Sequence, residues 1–342
     1  MSDGVLRVEA LVRAARAVTD AGSNLGHRAR RLLVESTGLS PEGVELALSR
    51  CLETEPSTAD IATLVASVRP APRVHVILPA NVFIAAHRAI ALALAASPSV
   101  HVRPSRREPH FAHLLAEATP GLFELTGEIH PEPGDHVWAY GGEASLDAVR
   151  ADLPAGATLH ARGPGYGVAV VDTTQVSAAT AALLASDIVP FEQRGCLSPR
   201  LALVVGATDA AERFAWLAAE ALAEAEERVP LGRLDDTELA DARAFRDAYR
   251  YAGLLFQAGA GVVASSATER WGVAPSGRNL VVAACSDPLN LLAQRAPELT
   301  TVGVAGAPTL RDALRKRLPH TRVVPLGTMQ CPAFDGPADR RR

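Results

Sequence analysis

Between residues 74 and 150 the chain repeats one order three times: a short apolar run, a polar junction, then a helical pattern. Val74-His-Val-Ile-Leu78 leads through Pro79-Ala-Asn81 into an apolar helix at 84–96. Val100-His-Val102 leads through Arg103-Pro-Ser-Arg-Arg107 into a helix at 108–117, and Asp135-His-Val-Trp-Ala-Tyr140 leads through Gly141-Gly142 into one at 144–150. Few folds accept such a series. Parallel neighbours require a long crossover, and each crossover lays a helix on the sheet. The expected class is therefore α/β, with ligands at the carboxyl ends of the strands.

Helical spacing dominates residues 5–68, where Ser40 is placed to cap a helix that opens on Pro41. Pro70 and Pro72 end that region. Beyond the glycine-rich turn at 163–167, strands are expected at 168–171, 201–205, 262–265, 280–284, 301–304 and 322–324, with helices at 177–186, 212–227 and 310–317. The charged stretch near 234–250 reads as a solvated helix. The expected organisation is an N-terminal helical segment (1–70), a nucleotide-binding α/β domain (71–167), a catalytic α/β domain (168–325) and a C-terminal tail (326–342).

Composition excludes several classes. With 48% hydrophobic residues and a formal charge of -4 over 342 residues, the chain has ample material for a large core and no general attraction to nucleic acid. No apolar run reaches the roughly 20 residues a bilayer span needs, and no secretory signal opens the chain, so a cytoplasmic protein without membrane insertion is expected. Four cysteines, Cys51, Cys196, Cys285 and Cys331, stand far apart without metal-ligand spacing, so no metal site is expected. Lys316 is the only lysine, which removes most routes to Schiff-base chemistry. The closing Arg340-Arg341-Arg342 reads as a solvated tail.

Cys196 stands on a turn, after Gly195 and ahead of Ser198, Pro199 and the apolar run 201–205. That local pattern suits a nucleophile held at a cleft, and equally an inert loop thiol. The three polar junctions each carry a candidate. Asn81 offers an amide donor or a helix cap. Arg103 and Arg106, flanking Ser105, offer cations for a phosphate or a solvated face. Gly141 and Gly142 offer close backbone approach or a tight turn. No Gly-x-Gly-x-x-Gly fingerprint follows the early strands.

The order of these motifs resembles the aldehyde dehydrogenase superfamily. Within it, Ile188-Val-Pro-Phe-Glu-Gln-Arg-Gly-Cys-Leu-Ser-Pro-Arg200, Leu299-Thr-Thr-Val-Gly-Val304 and Val323-Val-Pro-Leu-Gly-Thr-Met-Gln-Cys-Pro332 resemble the fatty acyl-CoA reductases of bacterial bioluminescence. Ser36-Thr-Gly-Leu-Ser40 fits as well, so the resemblance runs nearly end to end. It implies that Cys196 attacks an acyl thioester of CoA or a carrier, and that the acyl-enzyme takes hydride from a nicotinamide to release an aldehyde. Asn81 would share the oxyanion with the Cys196 backbone N–H.

Two departures sharpen that implication. Where hydrolytic relatives carry a Glu-Leu-Gly-Gly segment, this chain reads Thr158-Leu-His-Ala-Arg-Gly163; His160 stands near the lost carboxylate, as a base toward Cys196, an acid toward the leaving thiolate, or a structural histidine. Where NAD-preferring relatives place a glutamate, this chain has Arg106, which favours NADPH. The relatives' Glu-x-Phe-Gly-Pro segment has no counterpart near 277–282. The resemblance also implies a homo-oligomer, and a complex with acyl-transferring enzymes is compatible with it. The competing readings are a cysteine acyltransferase or thioesterase without redox chemistry, and a degenerate scaffold subunit.

Overall fold

The computed structural model describes residues 2–266 and 272–341; Arg342 of the expected tail lies outside them. They fall into two compact units, Met1–Pro164 with Cys331–Ala338, and Gly165–Gln330 with Asp339–Arg342.

The first unit begins with helices α1 (Asp3–Thr19), α2 (Asn24–Thr37), α3 (Pro41–Leu46) and α4 (Thr58–Ala66). Ser40 caps α3 as its sequence requires, its hydroxyl accepting from Gly43 N at 3.0 Å with Pro41 in the first turn. Then come β1 (Val74–Ile77), α5 (Ala85–Ala96), β2 (Val100–Arg103), α6 (His110–Ala118), the two-residue β3 (Glu124–Leu125), β4 (His136–Tyr140), α7 (Glu143–Asp152) and β5 (Thr158–Arg162). The strands form a sheet in the order β3-β2-β1-β4-β5, every pairing parallel. Chain order reverses between β1 and β4. At such a switch point the crossovers leave on opposite faces and open a crevice at the carboxyl ends.

Helix α5 is buried on nearly every side, Arg88 included. Its guanidinium is satisfied by Ala333 O and Gly336 O, both at 2.7 Å, Pro332 O at 2.8 Å, and the Glu53 carboxylate. A buried cation holds its place only with such partners. It pins the Cys331–Ala338 segment into this unit.

The second unit runs β6 (Tyr166–Asp172), α8 (Ala178–Ile188), β7 (Pro199–Val205), α9 (Thr208–Arg228), α10 (Asp236–Ala252), β8 (Gly253–Ala258), β9 (Gly261–Ser266), β10 (Leu280–Cys285), α11 (Pro288–Ala293), β11 (Leu299–Ala305), α12 (Pro308–Arg317) and β12 (Arg322–Pro325). Its sheet has the order β12-β11-β6-β7-β10-β9-β8. The run Val168, Val170, Leu201, Leu203, Val281, Ala283 and Val302 forms its core, as continuous apolar strands in a parallel sheet should. Only β8 runs antiparallel, as an edge strand against β9. Sequence reading gave it no strand, because its half-exposed residues carry no buried-strand pattern. The charged region before it is the expected solvated helix: α10 buries Phe245 alone.

Candidate active site

The loop entering β7 carries Cys196, and its backbone is unusual. Phe191, Glu192 and Gln193 all lie in the left-handed region, with φ of 57°, 52° and 60°. For residues with a Cβ this costs roughly 1–2 kcal/mol each, so the surrounding structure must hold the turn. Polar side chains do so. The Glu192 carboxylate, 1% exposed, receives Arg278 Nε at 2.8 Å, Arg278 Nη2 at 3.1 Å and Gly232 N at 3.0 Å. Gln193 Nε2 donates to Pro199 O at 2.9 Å and Asn279 O at 2.8 Å. Arg194 forks onto Glu238 at 2.6 and 2.9 Å. Arg278, itself fully buried and at φ 62°, donates its remaining edge to Val229 O at 2.7 Å. Charge-assisted, bidentate bonds of this kind are the strong ones.

Downstream of the turn, the Cys196 carbonyl accepts from the Thr300 hydroxyl, which also reaches Tyr166 O at 3.1 Å. Ser198 is buried, with its N–H on Gly195 O at 3.1 Å and its hydroxyl taking Gln330 Nε2 at 3.0 Å. Cys196 thus sits at the amino end of the second sheet, among the starts of β6, β7 and β11. Burial pushes its thiol up to about 11, Asp339 adds to the rise, and Arg341 together with the residue's own backbone N–H opposes it. The expected solvated tail needs correction here. Arg340 is exposed, but Arg341 is 13% exposed, forks onto Asp339 at 2.7–3.2 Å and donates to Pro297 O at 3.1 Å.

In the first unit, the switch point gathers the candidates from the three junctions. Asn81 stands exposed in the bend after β1, and the cap reading of it fails: the residue preceding α5 is Ile84, with no side-chain cap. Arg103 ends β2 half-buried. Ser105 Oγ accepts from Arg107 N at 3.2 Å, and Arg106 is exposed. Gly142 is the N-cap of α7, and a Cβ there would meet open space. An uncapped helix start with an open backbone suits a dinucleotide's phosphates, and cations stand at the end of β2, two strands away in the same sheet.

His160 lies within β5, its ring stacked on Trp138 at 4.4 Å and its Nε2 3.4 Å from His136 Nδ1. Burial first, then the charges of His136, Arg162 and Arg69, lower it to about 4. Its imidazole is therefore neutral at physiological pH and a weak base. Among the described residues no group of three or more His, Cys, Asp or Glu side chains is arranged to hold a metal.

Sequence reasoning missed Glu192, Arg278, Thr300, Asp339 and Arg341. Glu192 and Gln193 carry a faint signal, as polar residues between an apolar run and a turn. Arg341 carries none, because arginine abounds in this chain.

A family model described as acyl-CoA reductase (LuxC) matches residues 124–330. No curated protein is similar enough to the chain to count as a relative. Among solved structures the fold is similar to a lactaldehyde dehydrogenase from Escherichia coli, with TM-score 0.69 and 16% identity over 95% of this chain and 79% of that one. It is similar to an NAD-dependent benzaldehyde dehydrogenase from Corynebacterium glutamicum (TM-score 0.69, 16% identity, 95% of this chain and 82% of that one). A proline utilization A protein from Bradyrhizobium japonicum matches with TM-score 0.67 and 17% identity, over 95% of this chain but 39% of that longer one. At these identities the likeness shows the aldehyde dehydrogenase fold.

Proposed function

Because the chain belongs to the acyl-CoA reductase (LuxC) family, a family of aldehyde-forming oxidoreductases, we propose that it reduces a fatty acyl thioester of CoA or a carrier through an acyl-enzyme on Cys196. The observation that carries the reading is the strapped left-handed turn ahead of Cys196. A loop that only joins α8 to β7 has no need of consecutive strained residues held by a buried ion pair; a loop that must present one thiol at one angle does.

The thiol loses its proton and its sulfur attacks the thioester carbonyl. Charge gathers on the carbonyl oxygen, where the Cys196 backbone N–H and Asn81 are the donors in this reading, and collapse of that species expels the thiol of CoA or carrier. His160, the candidate base, is lowered to about 4 while the thiol stands near 11, so in this reading the thiol ionises to solvent and the departing thiolate is protonated from solvent. When bound, the nicotinamide supplies the hydride that turns the acyl group into an aldehyde. Arg103, Ser105 and Arg106 would hold its ribose phosphate and Gly141 and Gly142 its diphosphate, and the two arginines make NADPH the preferred form. The absence of a carboxylate at His160 fits a reductase, since water at the acyl-enzyme would waste the intermediate. A cytoplasmic homo-oligomer, supplied by acyl-transferring enzymes, completes the proposal.

Intact mass spectrometry after incubation with a long-chain acyl-CoA tests it. The expected result is one acyl adduct on Cys196, discharged as aldehyde when NADPH is added and absent in Cys196→Ala. Discharge as free acid without nucleotide would favour a thioesterase instead, and an unlabelled Cys196 would remove the mechanism altogether.

A further inference from the structure

Two opposed charges from outside its own loop and β7 act on the Cys196 thiol, those of Asp339 and Arg341 on one short segment of the second unit. Geometry ties that segment to the thiol's surroundings. The Arg341 guanidinium lies so close over Gly165 that a Cβ there would stand 2.6 Å from its Nη1 and 2.7 Å from its Cζ. Gly165 precedes Tyr166, whose carbonyl shares the Thr300 hydroxyl with the carbonyl of Cys196. On its other edge Arg341 is fixed by Asp339 at 2.7 Å and by Pro297 O at 3.1 Å. A guanidinium seated this firmly on a bare backbone is held in one place rather than swept through solvent.

We propose that Arg341 and Asp339 are an opposed pair of positioning residues for the nucleophile, Arg341 favouring the Cys196 thiolate and Asp339 restraining it. The cation loses part of its effect to its own ion-pair partner, so the resting enzyme keeps the cysteine as a thiol and limits its reaction with stray electrophiles. The opposed effects of the two charges on the thiol agree with this arrangement. Farther out, Tyr166 Oη donates to Glu298 at 2.9 Å and Arg295 lies 3.5 Å from Glu298, a separate pair at the start of β11. This inference rests on the reading of Cys196 as nucleophile, but its test reads the thiol alone.

The experiment is the second-order rate of iodoacetamide alkylation at Cys196, followed by peptide mass spectrometry from pH 6 to 10 in a Cys331→Ser background. Arg341→Met is expected to slow alkylation at each pH of this range and Asp339→Asn to speed it, the parent thiol titrating above the range. A shift of ~1 unit either way changes the thiolate population about tenfold. Arg341→Lys keeps the charge and is expected to stay near the parent. Circular dichroism shows whether each variant is folded, and rescue by lysine separates charge from packing. Shifts of the same sign in Arg341→Met and Asp339→Asn, or no shift in either, would overturn the proposal. An inert acyl-CoA reaction alongside opposed alkylation shifts would instead count against the reductase reading and leave this one standing.

Discussion

With its thiol pushed up to about 11, Cys196 carries almost no thiolate at neutral pH. A group whose ionised form is the reagent gains rate as pH climbs toward its pKa. Single-turnover release of CoA from acyl-CoA is therefore expected to rise about tenfold per pH unit from neutrality upward. A profile already flat by pH 8 would mean that the proton leaves by another route. Glu192 and Arg278, 1% and 0% exposed, set the second expectation at this scale. Removing one member of a buried pair leaves the other uncompensated, so Arg278→Met should cost about 3–5 kcal/mol in denaturant unfolding. Replacing both with apolar residues of like volume should cost much less, while the acylation rate falls in either variant because the turn at Phe191–Gln193 loses its strap. Beyond the faint signal of Glu192 as a polar residue ahead of a turn, this pair was not legible beforehand. Non-glycine residues give no local sign that they will be held at positive φ, and the partner is supplied 86 residues away by the fold. The turn that carries Cys196 was legible, because glycine, serine and proline there mark a turn beside a buried run.

The elements were read more easily than the residues. Strand and helix periods differ, so the alternation through residues 74–150 announced β1, β2 and β4 with their helices, and the apolar runs announced β6, β7, β9 and β10. What escaped was short or half-exposed: β3 has two residues, β8 is an edge, and β5, with no fully buried residue, was given no strand. Such segments are decided by the neighbours they pair with rather than by their own pattern. Strand order could not be read at all, although it is strand order that brings the ends of β1 and β4 together as the switch point. The junction after β2 supplies the prediction at this scale. Exchanging Arg106→Glu places a carboxylate where a 2′-phosphate would bind, and should raise the KM for NADPH at least tenfold while improving that for NADH. Steady-state rates with both nucleotides check it; an unchanged preference would move the phosphate contact away from this junction.

Over the whole molecule, the chain passes from the first unit to the second at Gly165, returns at Cys331, and passes over again at Asp339. Arg88 makes the return obligatory, because three of its four partners are carbonyls of Pro332, Ala333 and Gly336. Arg88→Met should cost about 3–5 kcal/mol by leaving Glu53 without its cation and those carbonyls without a donor, and hydrogen exchange should quicken first in residues 331–338. A uniform change in exchange would contradict a local clamp. The same clamp imposes a schedule on a chain that is made from one end. Arg88 is synthesised 244 to 248 residues before those carbonyls, an interval of roughly 12–50 seconds at 5–20 residues per second. Through that interval Glu53 alone of those four partners is present, and the first unit cannot close until the carbonyls of Pro332, Ala333 and Gly336 arrive.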